Sequence, residues 1–350
     1  MKKWIEKIVV VMLCIAMFII TGCQTNSTAN NDGTTNQPTT DGNATTNATL
    51  DYVSQHVKVA ALKGPTAIGM VKLMKDNKEG QAANNYEFTI AAAADEFTSL
   101  LIKGDIQLAA LPCNAAATLY NKSEGKIQLL GINTLGVLYI LENGNTIQSI
   151  ADLKGKTIYT TGKGTTPEYT LRHLLKSAGI DPDKDVVIEF KSEAAEVAQT
   201  MMAAGNGAVA MLPQPYVTTL QNNNADIRIA LDVTKEWEAI TKDGSTVVTG
   251  VIAVNTKYYE NNKQTVDKFM EEYQSSVSYV NANVEAAANL VEEFDIFKAA
   301  VAKKAIPYCN ITFITGEECK NKVSKYLTVL FNENAAAVGG KMPDEKFYIR

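Results

Sequence analysis

The stretch TIYTTGKGTTPEYTLRHLLKSAGI, residues 157–180, decides the fold class. Its first five residues are β-branched or aromatic, the composition of a strand. The turn Gly162-Lys163-Gly164-Thr165-Thr166 interrupts that run, and Pro167 suits the first turn of a helix. Residues 167–178 then read as a helix that Gly179 ends. A strand that feeds a helix through a short turn is the βα unit of a parallel sheet.

Similar units lie on both sides. Before this stretch, residues 58–62, 86–92, 106–111 and 127–132 read as strands, and 65–75, 96–103 and 114–121 as helices. Residues 135–141 form a further extended run. After a short helix at 149–153 the pattern restarts, with strands at 157–161, 186–190, 208–212 and 227–231 and helices at 167–178, 194–204 and 214–222. Residues 247–254 are a long β-branched run, and helices follow near 263–281, 283–294, 295–304 and 316–335. Two βα sets joined by extended segments near 134–141 and 246–254 predict an α/β protein of two lobes with two hinge crossings. Each lobe is a mostly parallel sheet flanked by helices. The first lobe takes residues 51–136 and 250–350, the second 138–247. The 300 residues from 51 onward suit two cores better than one.

The N-terminus has a different character. Lys2, Lys3 and Lys7 precede an uncharged apolar run of 13 residues, 8–20, too short to span a bilayer and suited to a signal peptide. Ile20-Thr21-Gly22-Cys23 follows, and it resembles the lipobox of bacterial lipoproteins, in which the Cys carries lipid. The resemblance implies a signal peptide at 1–22, lipidation of Cys23, and attachment to the extracytoplasmic face of the cell membrane. Residues 24–50 are rich in Thr, Asn and Gly, with almost nothing apolar to bury, so 23–50 is expected to be a disordered tether. Such a tether spans roughly 30 Å.

Composition removes several functions. The formal net charge is −5, and the leader carries +2 (Lys2, Lys3 and Lys7 against Glu6), so the chain from Cys23 onward carries −7. That argues against a nucleic-acid partner. With two histidines, His56 and His173, and no clustered cysteines, neither a metal site nor a His-based catalytic site is expected. Cys309 and Cys319, ten residues apart, are a possible disulfide or two buried thiols.

Five segments carry a wider resemblance: 59–70 (VAALKGPTAIGM), 104–112 (GDIQLAALP), 152–158 (DLKGKTI), 174–180 (LLKSAGI) and 210–216 (AMLPQPY). In this order they resemble the solute-binding lipoproteins of ABC importers, in the nitrate/sulfonate/taurine and thiamine-pyrimidine-precursor branch, with the type II periplasmic-binding-protein fold. The resemblance implies a monomer that captures a small molecule between its lobes, closes on it, and delivers it to a permease and its ATPase, with no cofactor and no catalysis. Gln214 stands where related proteins often carry Glu, which removes a negative charge from the expected cleft wall and turns the expectation from a cation toward a small organic anion (sulfonate- or carboxylate-like) or a small polar heterocycle. The alternatives are an enzyme of the same fold acting on a small metabolite, and a lipid-anchored sensor or adhesin.

In open α/β sheets ligands bind beyond the carboxyl ends of the strands, where turns and helix starts offer backbone N–H groups. The candidate contacts follow from that rule. They are Gly64, Pro65 and Thr66; Asp95, read as an N-cap or a ligand contact; Cys113 and Asn114; and Gln214 and Tyr216. Gly162, Gly164, Thr165 and Thr166 make the strongest expected anion cradle. Tyr139 and Thr249 lie on the two crossing segments. Lys163 could face an anion. Tyr169 and Trp237 are ring partners for a ligand or pack the lobe, and His173 is read as an ordinary helix residue.

Overall fold

The computed structural model describes residues 52–241 and 243–349, so the expected signal peptide, Cys23 and the tether lie outside the described residues. The chain enters along β1 (His56–Leu62). Val57, Val59 and Ala61 pack on one face of the sheet and Ala60 on the other, which is why this strand reads as continuous apolar sequence. Gly64 follows with φ 150° and ψ −154°, a backbone region in essence reserved for glycine.

The single helix expected at 65–75 is two helices, α1 (Pro65–Ile68) and α2 (Val71–Lys78). The break falls at Gly69, where a Cβ would sit 2.8 Å from the Tyr273 hydroxyl. A later helix therefore approaches too closely for an unbroken turn bearing side chains. The first set of units continues with β2 (Asn85–Ala91), α3 (Asp95–Lys103), β3 (Leu108–Pro112), α4 (Cys113–Lys122) and β4 (Ile127–Leu135). The second set runs β5 (Leu138–Asn143), β6 (Thr157–Thr160), α5 (Thr166–Ser177), β7 (Val187–Phe190), α6 (Ala194–Ala204), β8 (Val209–Pro213), α7 (Tyr216–Asn223), β9 (Ile227–Asp232) and α8 (Val233–Ile240). The chain ends with β10 (Val248–Asn255), α9 (Thr256–Asn261), α10 (Lys263–Ala282), α11 (Val284–Glu293), α12 (Ala299–Ala305), β11 (Ile311–Ile314) and α13 (Gly316–Glu333).

The strands form two sheets, ordered β11-β4-β10-β3-β1-β2 and β7-β6-β8-β5-β9. Apart from the added edge strand β11, the two repeat one topology. In each, four strands run in one direction, and a fifth runs antiparallel between two of them: β10 between β3 and β4, β5 between β8 and β9. Both antiparallel strands come directly after a crossing. β5 leaves β4 through Gly136-Val137, and β10 returns from α8. A strand arriving from the other sheet enters its new sheet from the opposite direction, so the crossings dictate the antiparallel pairs.

Three elements went unread in the sequence. The helix α8 is capped by Asp232, whose carboxylate accepts from the Thr234 and Lys235 N–H groups (3.0 and 3.3 Å), a legible signal. The short elements α9 and β11 carry too few residues to show a period. Trp237, on α8, is fully buried, with its ring tilted against those of Tyr326 (5.2 Å) and His173 (4.8 Å), so it packs helices together.

The helix α13 straddles both sheets. It packs on β4 and β10, and the Tyr326 hydroxyl meets Thr170 of α5 at 2.8 Å, while Glu333 takes His173 (3.1 Å) and Lys176 (2.6 Å). One continuous apolar cluster consequently includes Leu111 and Ile132 from the first sheet, Ile140 and Met211 from the second, and Leu327 and Leu330 from α13. The possible Cys309–Cys319 disulfide is not formed: both are free, buried thiols. They belong to separate apolar clusters on the two faces of the first sheet, so a bridge would have to pass through it. Among the described residues no helix is long and apolar enough to cross a membrane.

Two predictions concern these joints. At the first crossing, a Cβ on Gly136 would lie 1.8 Å from Thr234 Oγ1. Gly136→Ala is expected to cost about 1–3 kcal/mol in urea denaturation. Adding Thr234→Ala should restore most of that loss, and strictly additive energies would contradict the contact. In the second sheet, Glu142 is buried and accepts from the Thr146 N–H (2.8 Å), the Ile147 N–H (3.1 Å) and Arg228 (2.7 Å). Burial pushes its carboxyl up, but these hydrogen bonds together hold it below its ordinary 4.5. The unfolded chain thus binds the proton more readily. The stabilisation is complete above pH 4.5 and is lost as pH falls through the lower folded value. Glu142→Gln should weaken the fold at neutral pH by about 1–3 kcal/mol and flatten the acid limb of stability against pH; an unchanged limb would count against this account.

Candidate functional site

The ends of β3 and β6 meet through side chains from both sheets. Asn114, fully buried at the start of α4, accepts from the Thr166 hydroxyl at 3.1 Å and donates to the Ala337 carbonyl (2.9 Å) and the Gly164 carbonyl (3.4 Å). Gly164, Thr166 and Asn114 are therefore brought together, as partners of one another. Tyr139 of β5 donates to the Tyr308 carbonyl at 3.3 Å, across the crossing. Its phenol is pushed up to about 12, by burial first and by the nearby Asp232 carboxylate second.

The turn expected to cradle an anion is filled by the chain itself. The Gly164 N–H donates to Glu168 at 2.6 Å, the Thr165 N–H and hydroxyl both go to the Gly162 carbonyl (2.9 and 2.8 Å), and Arg172 holds the other Glu168 oxygen at 2.9 Å. A carboxylate four residues downstream thus takes the place an external anion would need. Lys163 is exposed and lies over the Phe190 ring, 5.9 Å from its centroid.

Other candidates are committed as well. Asp95 is exposed in the first turn of α3, and the cap position belongs to Ala94. Cys113 is fully buried, and burial, then the neighbouring Cys319, pushes its thiol well up, so it contributes packing. Gln214 is buried and accepts from the Thr218 N–H and hydroxyl (3.2 and 2.8 Å), while its own N–H goes to the Val137 carbonyl (3.1 Å). Tyr216 stands edge-on to Phe297, 5.1 Å between centroids.

The turn Gly64-Pro65-Thr66 has a different setting. It is buried, and the Thr66 hydroxyl bonds the Leu62 carbonyl at 2.7 Å. Beside it lies Gly250 of β10, where a Cβ would sit 2.8 Å from Thr66 Cγ2 and 2.5 Å from Asn133 Oδ1. Neither polar atom of the fully buried Asn133 has a hydrogen-bond partner. The hydroxyls of Thr134, Thr249 and Tyr273 are in the same condition. Among the described residues, seven buried side-chain polar atoms lack a partner, and these four residues supply five of them. Buried polar atoms are nearly always paired, and an orphan costs about 1–3 kcal/mol, so their concentration marks where this body is adapted to meet something polar. Thr249 was anticipated in the sequence. Asn133, Thr134 and Tyr273 were missed, although an Asn-Thr pair near the end of the apolar strand 127–135 was a visible anomaly.

Both arginines of the described residues are engaged, Arg172 with Glu168 and Asp183, and Arg228 with Glu142 and the Gly144 and Ile147 carbonyls. Among the described residues no group of three or more His, Cys, Asp or Glu could hold a metal ion.

The family model described as NMT1/THI5 like matches residues 127–287. No curated protein matches the sequence. Among solved structures, an ABC transporter protein from Parabacteroides distasonis is 25% identical, with a TM-score of 0.69 over 84% of this chain and 98% of that one. The periplasmic aliphatic sulphonate binding protein SsuA from Escherichia coli is 16% identical, with a TM-score of 0.65 over 83% and 92%. The periplasmic nitrate-binding protein NrtA from Synechocystis is 12% identical, with a TM-score of 0.59 over 80% and 82%. The chain therefore has the type II periplasmic-binding fold of ABC-importer solute-binding proteins, with an NMT1/THI5-like segment over residues 127–287.

Proposed function

We propose that this protein captures a small solute between its two lobes and delivers it to a membrane permease, held at the extracytoplasmic face by lipid on Cys23. The observation that carries the capture reading is the concentration of unpartnered buried polar atoms on Asn133, Thr134, Thr249 and Tyr273, at the end of the first sheet next to the crossings. A body whose function was only to pack would replace these groups with apolar ones at no loss. The fold supports the same reading, since its neighbours in structure are transport-associated binding proteins.

The solute is a small organic anion or a small polar heterocycle. The sulphonate- and nitrate-binding neighbours favour the anion. The engaged arginines and the Glu168-filled turn favour the heterocycle, because an anion would find neither a free guanidinium nor the Gly164 N–H.

Two measurements bear on this. A solute that binds only the folded body, present at 100 times its dissociation constant, should add about 2.7 kcal/mol of stability. Screening the full chain against sulfonates, carboxylates, nitrate and uncharged heterocycles should find such a shift without turnover of the compound; conversion to product would replace binding with catalysis. Separately, Cys23→Ser should move the protein from the membrane fraction to the soluble one, and retention at the membrane would remove the lipid anchor from the proposal.

A further inference from the structure

We infer that Asn133, Thr134 and Tyr273 form an inner subsite for one uncharged polar group of the solute, a group that presents a hydrogen-bond donor and an acceptor side by side. The subsite presupposes that the protein captures a solute between its lobes. A carboxamide, a ureido group or the edge of an amino-substituted heteroaromatic ring has the required pattern.

Asn133 is the centre of the argument. It is fully buried, and both its amide nitrogen and its amide oxygen lack partners. An amide offers two donors on one atom and an acceptor on the other, so its complement is a group with the reverse pattern. Because both ends are free, the assignment holds whichever way the amide is turned. The Tyr273 hydroxyl lies close enough to this amide for Asn133 to offset part of the upward push of burial on the phenol, though not in strict hydrogen-bond geometry, and the Thr134 hydroxyl is unpartnered. Hydroxyls donate or accept, so they tolerate either orientation of the bound group.

Charge separates the solute classes. Gly250 lies beside Asn133 and Gly69 beside Tyr273, Thr66 and Ile311 pack against the same two glycines, and none of these residues is charged. Burial pushes the Tyr273 phenol up, so it remains neutral. Burying an anion here with no cation would cost far more than burying a neutral amide edge. Two glycines leave these buried polar atoms free of a neighbouring side chain on that side. A Cβ on Gly250 would stand 2.5 Å from Asn133 Oδ1, and one on Gly69 would stand 2.8 Å from the Tyr273 hydroxyl. Thr66 packs beside Gly250, which sets the Gly64-Pro65-Thr66 turn at the edge of the subsite.

The test compares the full chain with its Asn133→Leu and Tyr273→Phe variants. The probes are nicotinamide and cytosine as uncharged donor–acceptor edges, and ethanesulfonate and nitrate as anions. Thermal shift and calorimetric titration are the readouts. At least one uncharged probe should raise the melting point of the unmodified protein, and Asn133→Leu should weaken its binding at least ten-fold. Without probe, both variants should melt no lower than the unmodified protein, because an orphan polar group has been replaced by an apolar one. Binding of an anion that survives Asn133→Leu unchanged would overturn the subsite and leave capture standing, as would an uncharged probe indifferent to both substitutions. Lower melting of both variants, with ordered water bridging these atoms in a crystal of the unmodified protein, would assign them to water only and also overturn it. No response to any of the four probes would count against the subsite and the capture reading together. If Asn133→Leu fails to fold, the near-isosteric Tyr273→Phe supplies the same comparison.

Discussion

The structure depends on the crossing at Gly136-Val137. Two residues link β4 of one sheet to β5 of the other, and backbone groups there bond to residues distant in the chain, Asn310 and Gln214. The Leu135 N–H bonds the Asn310 carbonyl at 3.1 Å, the Asn310 amide bonds the Gly136 carbonyl, and the Val137 carbonyl accepts from the Gln214 N–H at 3.1 Å. Thr234 fills the space a side chain on Gly136 would need. So short a link, tied to residues far apart in the chain, sets where β5 enters the second sheet and hence how the strand ends of the two sheets come to lie near one another.

From that constraint comes an unequal distribution of polar groups. Where the sheets meet beside α5 and α13, polar side chains are paired across the junction: Asn114 with Thr166, Thr170 with Tyr326, and Glu333 with His173 and Lys176. Beside α1 and α10, at the joined ends of β4 and β10, they are not. One protein solves the same burial problem on one side and leaves it open on the other. Unpaired buried groups are costly enough that such a contrast is informative about function.

Much of the architecture was legible because it rests on periodicity. The βα alternation, the two extended segments at the crossings and the glycine-proline punctuation all survive in a single sequence, since each is a local consequence of backbone geometry and of alternate-face burial. The misreadings share a cause. Residues 65–75 look like one helix until Tyr273 approaches Gly69; 162–168 looks like an anion site until Glu168 turns back onto the Gly164 N–H; Cys309 and Cys319 look pairable until a sheet lies between them. In each case a group distant in sequence, or a side-chain direction that spacing does not encode, takes the place expected for something else.

The sequence by itself determined the class of fold, the topology of alternating strands and helices, and the leader-like N-terminus with its candidate lipid-bearing Cys23, because composition and period are properties of short segments. Only the tertiary structure decided which strand-end groups remain free. Asn133 and Asn114 are both buried asparagines near the ends of β4 and β3, two strands of one sheet, and nothing in their local sequence separates them. Asn114 is satisfied by Thr166 and Ala337, which the folded chain brings from 52 and 223 residues away, whereas Asn133 lies against Gly250 and its side-chain amide finds no partner of hydrogen-bond geometry. Hydrogen bonding is a matter of distance and direction in space, and those are set when the whole chain has packed.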